Sequence, residues 1–226
     1  MKPGAPGAVA WEDSAVPFPA NLGVTWWDCL VSPDLFFDRV DWEGSFARPL
    51  LYYLLLAVLG GLLGLFWSLW GPWGATSEPG LAAERKALGF FLGPFLMLVA
   101  LVVGAAIMHL FSVLLAPAHR GIRSTATVIC YAAGVGLLTS ALPPVFAYGG
   151  LIPGVPGGYL VLYASLAFAV QIWHLFILVM GVRRAHSTST ARAAAIVLLP
   201  VAIAISLAVS LLLVAVALIS ISGIPA

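Results

Sequence analysis

Acidic residues are missing from most of this chain, which has no Asp or Glu after Glu84. Charged residues make up 8% of its 226 residues, against about 25% in ordinary globular domains. Four stretches carry no Asp, Glu, Lys or Arg: 49–77, 87–119, 124–182 and 193–226. A soluble domain of this length needs charge over its whole surface, whereas a charge at the bilayer centre costs about 2.5–3.5 kcal/mol. The shortage of charge therefore predicts an integral membrane protein.

The uncharged stretches set the number of membrane spans, because about 20 apolar residues cross a hydrocarbon core of about 30 Å. Stretch 124–182 is too long for one span and is interrupted by Pro143-Pro144, Gly149-Gly150 and the Pro/Gly run 153–158, so it predicts two. We predict an all-α integral membrane protein, a five-helix bundle whose transmembrane domain is 49–226. The predicted spans are 49–70, 89–115, 125–146, 158–182 and 193–221.

The residues before the first span divide into two parts. Residues 1–23 are rich in Pro, Gly and Ala and predict a mobile cytoplasmic tail. Residues 24–48 mix aromatic and acidic residues, and Ser32-Pro33-Asp34 is a good helix start. We predict an N-terminal amphipathic helix on the membrane interface, with an ordinary aromatic belt before the first span as the alternative. The interfacial residues are Trp26, Trp27, Asp34, Phe36, Phe37, Asp38 and Asp41.

Basic residues are distributed unequally between the two sides of the predicted bundle. The side of the N-terminus holds Lys2, Arg39, Arg48, Arg120, Arg123, Arg183, Arg184 and Arg192, whereas the other side holds Arg85 and Lys86. Because basic residues favour the inside, we expect the N-terminus in the cytoplasm, and the odd number of spans puts the C-terminus outside. The pattern predicts a multi-pass protein of the cell (inner) membrane without a cleavable signal peptide.

Two histidines are the ionisable side chains that we place well inside spans. His109 and His174 lie at similar distances before Arg120 and Arg183, so we expect them at similar depth. A bis-histidine haem site and two neutral, hydrogen-bonded histidines both fit this arrangement. The spans offer no third zinc ligand, and the two cysteines are expected to be passive. We predict neither metal nor cofactor and keep the haem pair as an alternative.

Sequence signatures of membrane-embedded hydrolases, such as GxSxG and HExxH, do not occur in this chain. The predicted spans also hold no carboxylate of the kind that couples ions to transport. We therefore expect no enzyme activity. A lipid or small-molecule translocator is an alternative function, with a path lined by Tyr131, Thr139, Ser140, Ser165 and Gln171.

The predicted cytoplasmic loops carry arginines that complement the acids of the interfacial helix. We hypothesise that Asp34, Asp38 and Asp41 lie over these loops and close the cytoplasmic end of the bundle. The alternative is that the arginines hold anionic headgroups while the acids face water. Expected partners are membrane lipids, with other membrane proteins or a second copy as alternatives, and nucleic acid is not expected. The residues expected to contact lipid headgroups or partners are Arg120, Arg123, Arg183, Arg184, His186 and Arg192.

Several landmarks follow one another in an order typical of one family. They are WDCLVSPDLFF at 27–37, Arg48-Pro49-Leu50, His109, Tyr131-Ala132, Pro143-Pro144, Trp173 and GVRRAHSTSTA at 181–191. This order resembles the prokaryotic branch of the Yip family, five-span proteins whose eukaryotic members interact with Ypt/Rab GTPases. The resemblance implies five helices with a cytoplasmic N-terminus. It also implies a non-enzymatic, membrane-organising or scaffold role through the cytoplasmic face.

Overall fold

A computed structural model describes residues 8–70, 81–141 and 157–222, and these residues form helices without any β-strand. Five segments of them are long and apolar enough to cross a membrane, which confirms the predicted all-α, five-span fold. Residues 1–7 of the predicted tail and the expected break at Pro143-Pro144 lie outside the described residues. The helices are α1 (Ala20–Val31), α2 (Pro33–Asp38), α3 (Ala47–Trp70), α4 (Leu81–Leu115), α5 (Ile122–Ala132), α6 (Gly136–Ser140), α7 (Gly157–Ala185) and α8 (Thr190–Ser222).

The third span is not one continuous α-helix, because a 3₁₀ turn, Ala133–Val135, separates α5 from α6. The indole Nε1 of Trp26 donates a hydrogen bond of 2.7 Å to the carbonyl oxygen of Gly134 within this turn. A side chain at Gly134 would not fit, since a Cβ would lie 2.8 Å from Trp26 Cδ1 and 3.1 Å from the Tyr52 hydroxyl oxygen. The glycine therefore lets α1 pack closely against the interrupted span.

Burial divides the bundle into two halves along its length. The basic half is the one at the Arg120 and Arg183 end, and it contains fully buried side chains. They include Tyr131, Val128, Ile177, Val182 and Ile196. The apolar half is the opposite one, where every residue of α8 from 201 to 214 is exposed. Protein packs against protein in the basic half, while the apolar half presents a hydrocarbon surface that suits lipid.

Residues 9–46 cover the basic half, and we call them the cap. Val9 and Trp11, which belong to the predicted mobile tail, are buried, with 1% and 9% of their surface exposed. The backbone N–H of Trp11 donates to Thr25 Oγ1 (2.8 Å), and its indole Nε1 donates to the Arg48 carbonyl (2.7 Å). The structure thus differs from the predicted division at residue 23, because a tryptophan that can bury its ring and satisfy its N–H anchors the segment.

The predicted interfacial helix consists of two short helices, α1 and α2, packed on the spans. Phe36 and Phe37 are completely buried, and the Phe36 ring lies 5.2 Å from the Tyr131 ring in an edge-to-face contact. Phe37 packs on Gly181 of α7, where a Cβ would come within 2.9 Å of its ring. Phe36 and Phe37, which we expected at the membrane interface, thus contact the third and fourth spans instead.

The first helix lies beside the spans rather than beneath their ends. Trp26 bonds Gly134 beyond α5, and the indole Nε1 of Trp173 on α7 donates to the Leu30 carbonyl (3.0 Å). Gly134 and Trp173 are each twelve residues from the basic end of their span, which is about 18 Å at the helical rise. The cap therefore reaches well up the side of the bundle.

Candidate functional site

Salt bridges join the cap to the end of α7. Arg184 Nε lies 2.9 Å from Asp34 Oδ1, and Arg184 Nη1 lies 2.7 Å from Asp38 Oδ1. Arg183 also pairs with Asp34. The hydrogen bond from Arg184 is the main reason why the pKa of Asp34 is lowered, and Arg183 adds to it. Two acids of the cap thus lie over the arginines of the fourth span, as hypothesised, although partly exposed pairs contribute only about 0–1 kcal/mol each.

Asp41, the third acid of the hypothesised face, makes different contacts. Its carboxylate Oδ1 accepts hydrogen bonds from the backbone N–H groups of Glu43 and Gly44, at 3.1 and 3.0 Å. Its own N–H donates to Glu12 Oε2 (3.3 Å). Asp41 therefore shapes the turn between α2 and α3.

Three of the predicted headgroup-contacting arginines have exposed side chains at the basic end. Arg120 places its guanidinium 5.9 Å from the centroid of the Trp42 ring. Arg123 Nη2 donates to the Glu43 carbonyl (3.3 Å), and Arg192 is exposed in the first turn of α8. Their exposure leaves them accessible to a ligand or a membrane surface.

His186 is fully buried and ties the loop after α7 to the loop before α5. Its Nδ1 accepts the backbone N–H of Arg120 (3.1 Å), so the ring hydrogen sits on Nε2, which lies 3.0 Å from Thr125 Oγ1. Burial lowers the pKa of His186 to about 4, with the charges of nearby histidines and Arg120 adding to the effect. The expectation that His186 contacts a headgroup is therefore wrong, because a neutral, enclosed imidazole cannot reach one.

The two histidines that we expected at similar depth are not brought together. The His109 ring lies 6.0 Å from the His119 ring and 6.4 Å from the His186 ring. His174 precedes His186 by twelve residues, or about 18 Å along α7, so it cannot share an iron with His109. Within residues 8–70, 81–141 and 157–222, no three His, Cys, Asp or Glu side chains are arranged to hold a metal ion.

The sequence reasoning missed a carboxylate of the cap that contacts the third span. Tyr131 donates its hydroxyl to Glu12 Oε1 at 2.5 Å. Burial raises the pKa of Glu12 despite this hydrogen bond. Trp11, a large aromatic residue in a stretch of Pro, Gly and Ala, was the signal that this part of the tail could pack. Glu12 therefore belongs to the cap.

The residues of the expected translocation path do not line a common channel. Tyr131 is enclosed by protein, whereas Ser165 and Gln171 are exposed on α7. Ser140 borders an apolar cavity of about 180 Å³ between α3, α4 and α6, together with Tyr53. These positions give no continuous polar route.

The fold and its basic end define a multi-pass helical membrane protein with a cap packed on its spans. The family model of the Yip1 domain matches residues 27–221. The chain therefore belongs to the Yip1 family, which confirms the resemblance to Yip proteins drawn from the sequence. The cap residues before 27 precede the matched region. Comparisons with curated proteins and with solved structures give no significant match.

Proposed function

We propose that this chain is a non-enzymatic, membrane-organising protein of the cell membrane that acts through its cap. In this proposal the N-terminus and the cap are cytoplasmic and the C-terminus is outside, as the arginine distribution favours. The cap acts on the cytoplasmic leaflet of the bilayer, and lipids are its first partners. The support for this role lies in the surface that α1 and α2 leave uncovered.

An apolar stripe on the exposed side of the cap carries the proposal. It consists of Val24, Trp27, Val31 and Leu35, whose side chains are 45%, 59%, 54% and 64% exposed. Val24, Trp27 and Val31 share one face of α1 at helical spacing. We call these four residues the leaflet stripe.

The surroundings of the leaflet stripe favour acyl chains as its neighbour. Leu30 in α1 accepts the hydrogen bond from Trp173, and α7 exposes Ile172 (52%) and Phe176 (40%) on the same helix. Asp28, the acid of α1, is neutralised by Arg39 at 2.8 Å, which reduces the penalty of placing the helix near hydrocarbon. The stripe therefore continues the apolar surface of the spans.

A helix that inserts into just one leaflet of the bilayer expands that leaflet relative to the other. Interfacial amphipathic helices bind according to their buried apolar area and respond to membrane curvature. Because the cap is fixed to five spans, its insertion would couple the protein to the shape of the surrounding bilayer. Recruitment to curved membrane is the organising activity that we propose.

The test compares the protein in flat and in highly curved membrane. Labelled protein is reconstituted into giant vesicles, and its enrichment in a tube pulled from the vesicle is measured against a lipid dye. We expect enrichment for the native chain and its loss when Trp27→Ala and Val31→Ala are combined, because the exposed apolar area of α1 shrinks. Thermal unfolding should change little, since both side chains are exposed.

The matched control combines Phe91→Ala with Val102→Ala, which removes exposed apolar side chains from α4 (76% and 66% exposed) without touching the cap. This control should keep the enrichment of the native chain. Equal enrichment of all three proteins in the tube would reject the role of the leaflet stripe.

A further inference from the structure

An open cleft lies at the basic end between α2, the loop before α5 and the loop that joins α7 to α8. Its volume is about 820 Å³, and its lining is mainly polar. Three arginines, Arg120, Arg183 and Arg184, border it together with the hydroxyl side chains of residues 187–190. Cationic and hydroxyl donors thus surround one space.

The acidic residues of the cap neutralise only part of the positive charge of the cleft. Asp34 and Asp38 pair with Arg183 and Arg184 and hold their guanidinium groups at the cleft wall. None of the salt bridges among the described residues includes Arg120, and its guanidinium lies over the Trp42 ring. One guanidinium is therefore left to balance an anion.

The loop after α7 is folded so that its hydroxyls line the cleft. Ser187 has a positive φ of 47°, which an L-residue adopts only where the surrounding structure fixes it. The N–H of Thr188 donates back to the Arg183 carbonyl (3.1 Å), which closes the C-terminal turn of α7. The loop then enters α8 at Thr190, where Ser189 Oγ accepts the N–H of Arg192 (3.4 Å), so the first turn of that helix also lies at the cleft.

Thr188 supplies the observation that indicates a missing ligand. Its Oγ1 is buried and has no hydrogen-bond partner in the structure, although Thr188 lines the cleft. A buried hydroxyl without a partner costs about 1–3 kcal/mol, so such groups are normally satisfied. An acceptor bound in the cleft would satisfy it once the Thr188 side chain turns toward the cleft.

We infer that the cleft binds a phosphate monoester group, with Arg120 as its counter-ion and Thr188 as a hydroxyl donor. A phosphate has several acceptor oxygens, which suits donors that converge from a guanidinium, a hydroxyl and a helix N-terminus. A lipid headgroup and a soluble phosphate offer the same chemistry. The inference goes beyond the membrane-organising role, because the cleft and the leaflet stripe share no residue.

The experiment measures binding to the full-length protein in phosphatidylcholine nanodiscs by isothermal titration calorimetry. One arm adds dioctanoyl phosphatidic acid, a lipid phosphomonoester, and the other adds inorganic phosphate. We expect saturable binding of the lipid probe, with no comparable response to dioctanoyl phosphatidylcholine. Competition by inorganic phosphate would show that the phosphate alone is recognised, while lipid binding without competition would assign the site to lipid headgroups.

Variants decide whether the binding takes place in this cleft. Arg120→Gln should weaken binding of the lipid probe at least about 10-fold, as expected for the loss of a charged hydrogen bond of about 1.5–3 kcal/mol. Thr188→Val should weaken binding of the lipid probe several-fold. The melting temperature should stay the same, because the hydroxyl has no protein partner. Arg123→Gln, an exposed arginine outside the cleft, is the matched control and should bind like the native chain. Absence of saturable binding, or equal losses in Arg120→Gln and Arg123→Gln, would overturn the inference.

Discussion

The basic half and the apolar half of this bundle are built from the same helices but meet different surroundings. In the basic half, Tyr131 and Phe36 are completely buried against other protein side chains. In the apolar half, Phe91 is 76% exposed and residues 201–214 of α8 are exposed all round. Packing in the basic half restricts the shape of the side chains, whereas lipid around the apolar half restricts only their hydrophobicity. A membrane protein can therefore contain a core as specific as that of a soluble domain.

The comparison also separates the roles of the two surfaces. The cap adds short helices, a partly buried carboxylate and ion pairs to the basic half, where polar groups find partners. The apolar half has no such requirement, because lipid neighbours need no matching shape. Changes that are harmless in one half should be damaging in the other.

The largest difference between the halves is expected for aromatic truncation. Phe36→Ala should lower the free energy of unfolding by about 3–5 kcal/mol, because it leaves a cavity between α2, α5 and α7. Phe91→Ala removes the same side chain from the lipid-facing surface of α4 and should cost much less. Reversible unfolding in mixed micelles measures both changes. Equal losses of unfolding free energy would contradict the difference between the two halves.

Low pH should lower the stability of the folded protein through protonation of His186 in the basic half. The pKa of His186 is about 4 in the folded chain, against 6.5 ordinarily, so between these values the unfolded state binds more protons. Stability is therefore complete above about pH 6.5 and should fall by about 3 kcal/mol as the pH drops to 4. The free energy of unfolding measured from pH 7.5 to 4 tests this.

The control for this titration is His186→Gln, which keeps an amide donor for Thr125 but does not titrate. The difference between native and variant should grow in the variant's favour as the pH falls. Parallel curves for the two proteins would show that His186 is not held neutral in the folded state.

A smaller contrast is expected from two helical glycines. Gly181→Ala places a Cβ 2.5 Å from Val128 Cγ1 and 2.9 Å from the Phe37 ring, so it should destabilise the protein by about 1–3 kcal/mol. A Cβ at Gly64, in the apolar half, meets nothing within 4 Å. Because alanine favours the helix, Gly64→Ala should be neutral or stabilising by up to about 1 kcal/mol. The melting temperature should fall for Gly181→Ala and should stay the same or rise for Gly64→Ala, and shifts of the same sign and size would contradict this assignment.

The sequence predicts the spans well because the bilayer imposes a strict local rule. A long apolar stretch without charge, such as 49–70, is expected to lie in hydrocarbon whatever its neighbours are, and the structure places α3 there. The pairing of Asp34 with Arg184 was also predictable, since opposite charges gathered on one side of the membrane tend to meet. These inferences need composition and order but no knowledge of packing.

The rest of the basic end depends on contacts between distant residues. Trp26 meets Gly134, and Glu12 meets Tyr131, across more than a hundred residues of chain. The local sequence does not show whether Phe36 packs against a span or contacts lipid, since both surroundings are apolar. His186 likewise lies among hydroxyl residues and arginines in the sequence, yet folding encloses it. Local pattern therefore indicated which residues are apolar or charged, and tertiary packing determined what they contact.

Hydrogen exchange of the cap in lipid nanodiscs tests the central claim most directly, because the claim requires residues 9–38 to be packed on the spans. The account predicts that the amides of Trp11 and of α1 and α2 exchange at least about 100-fold more slowly than in an unstructured peptide. It further predicts that Phe36→Ala speeds up exchange throughout this segment. Exchange of residues 9–19 at the rate of a free chain, unchanged by Phe36→Ala, would contradict it.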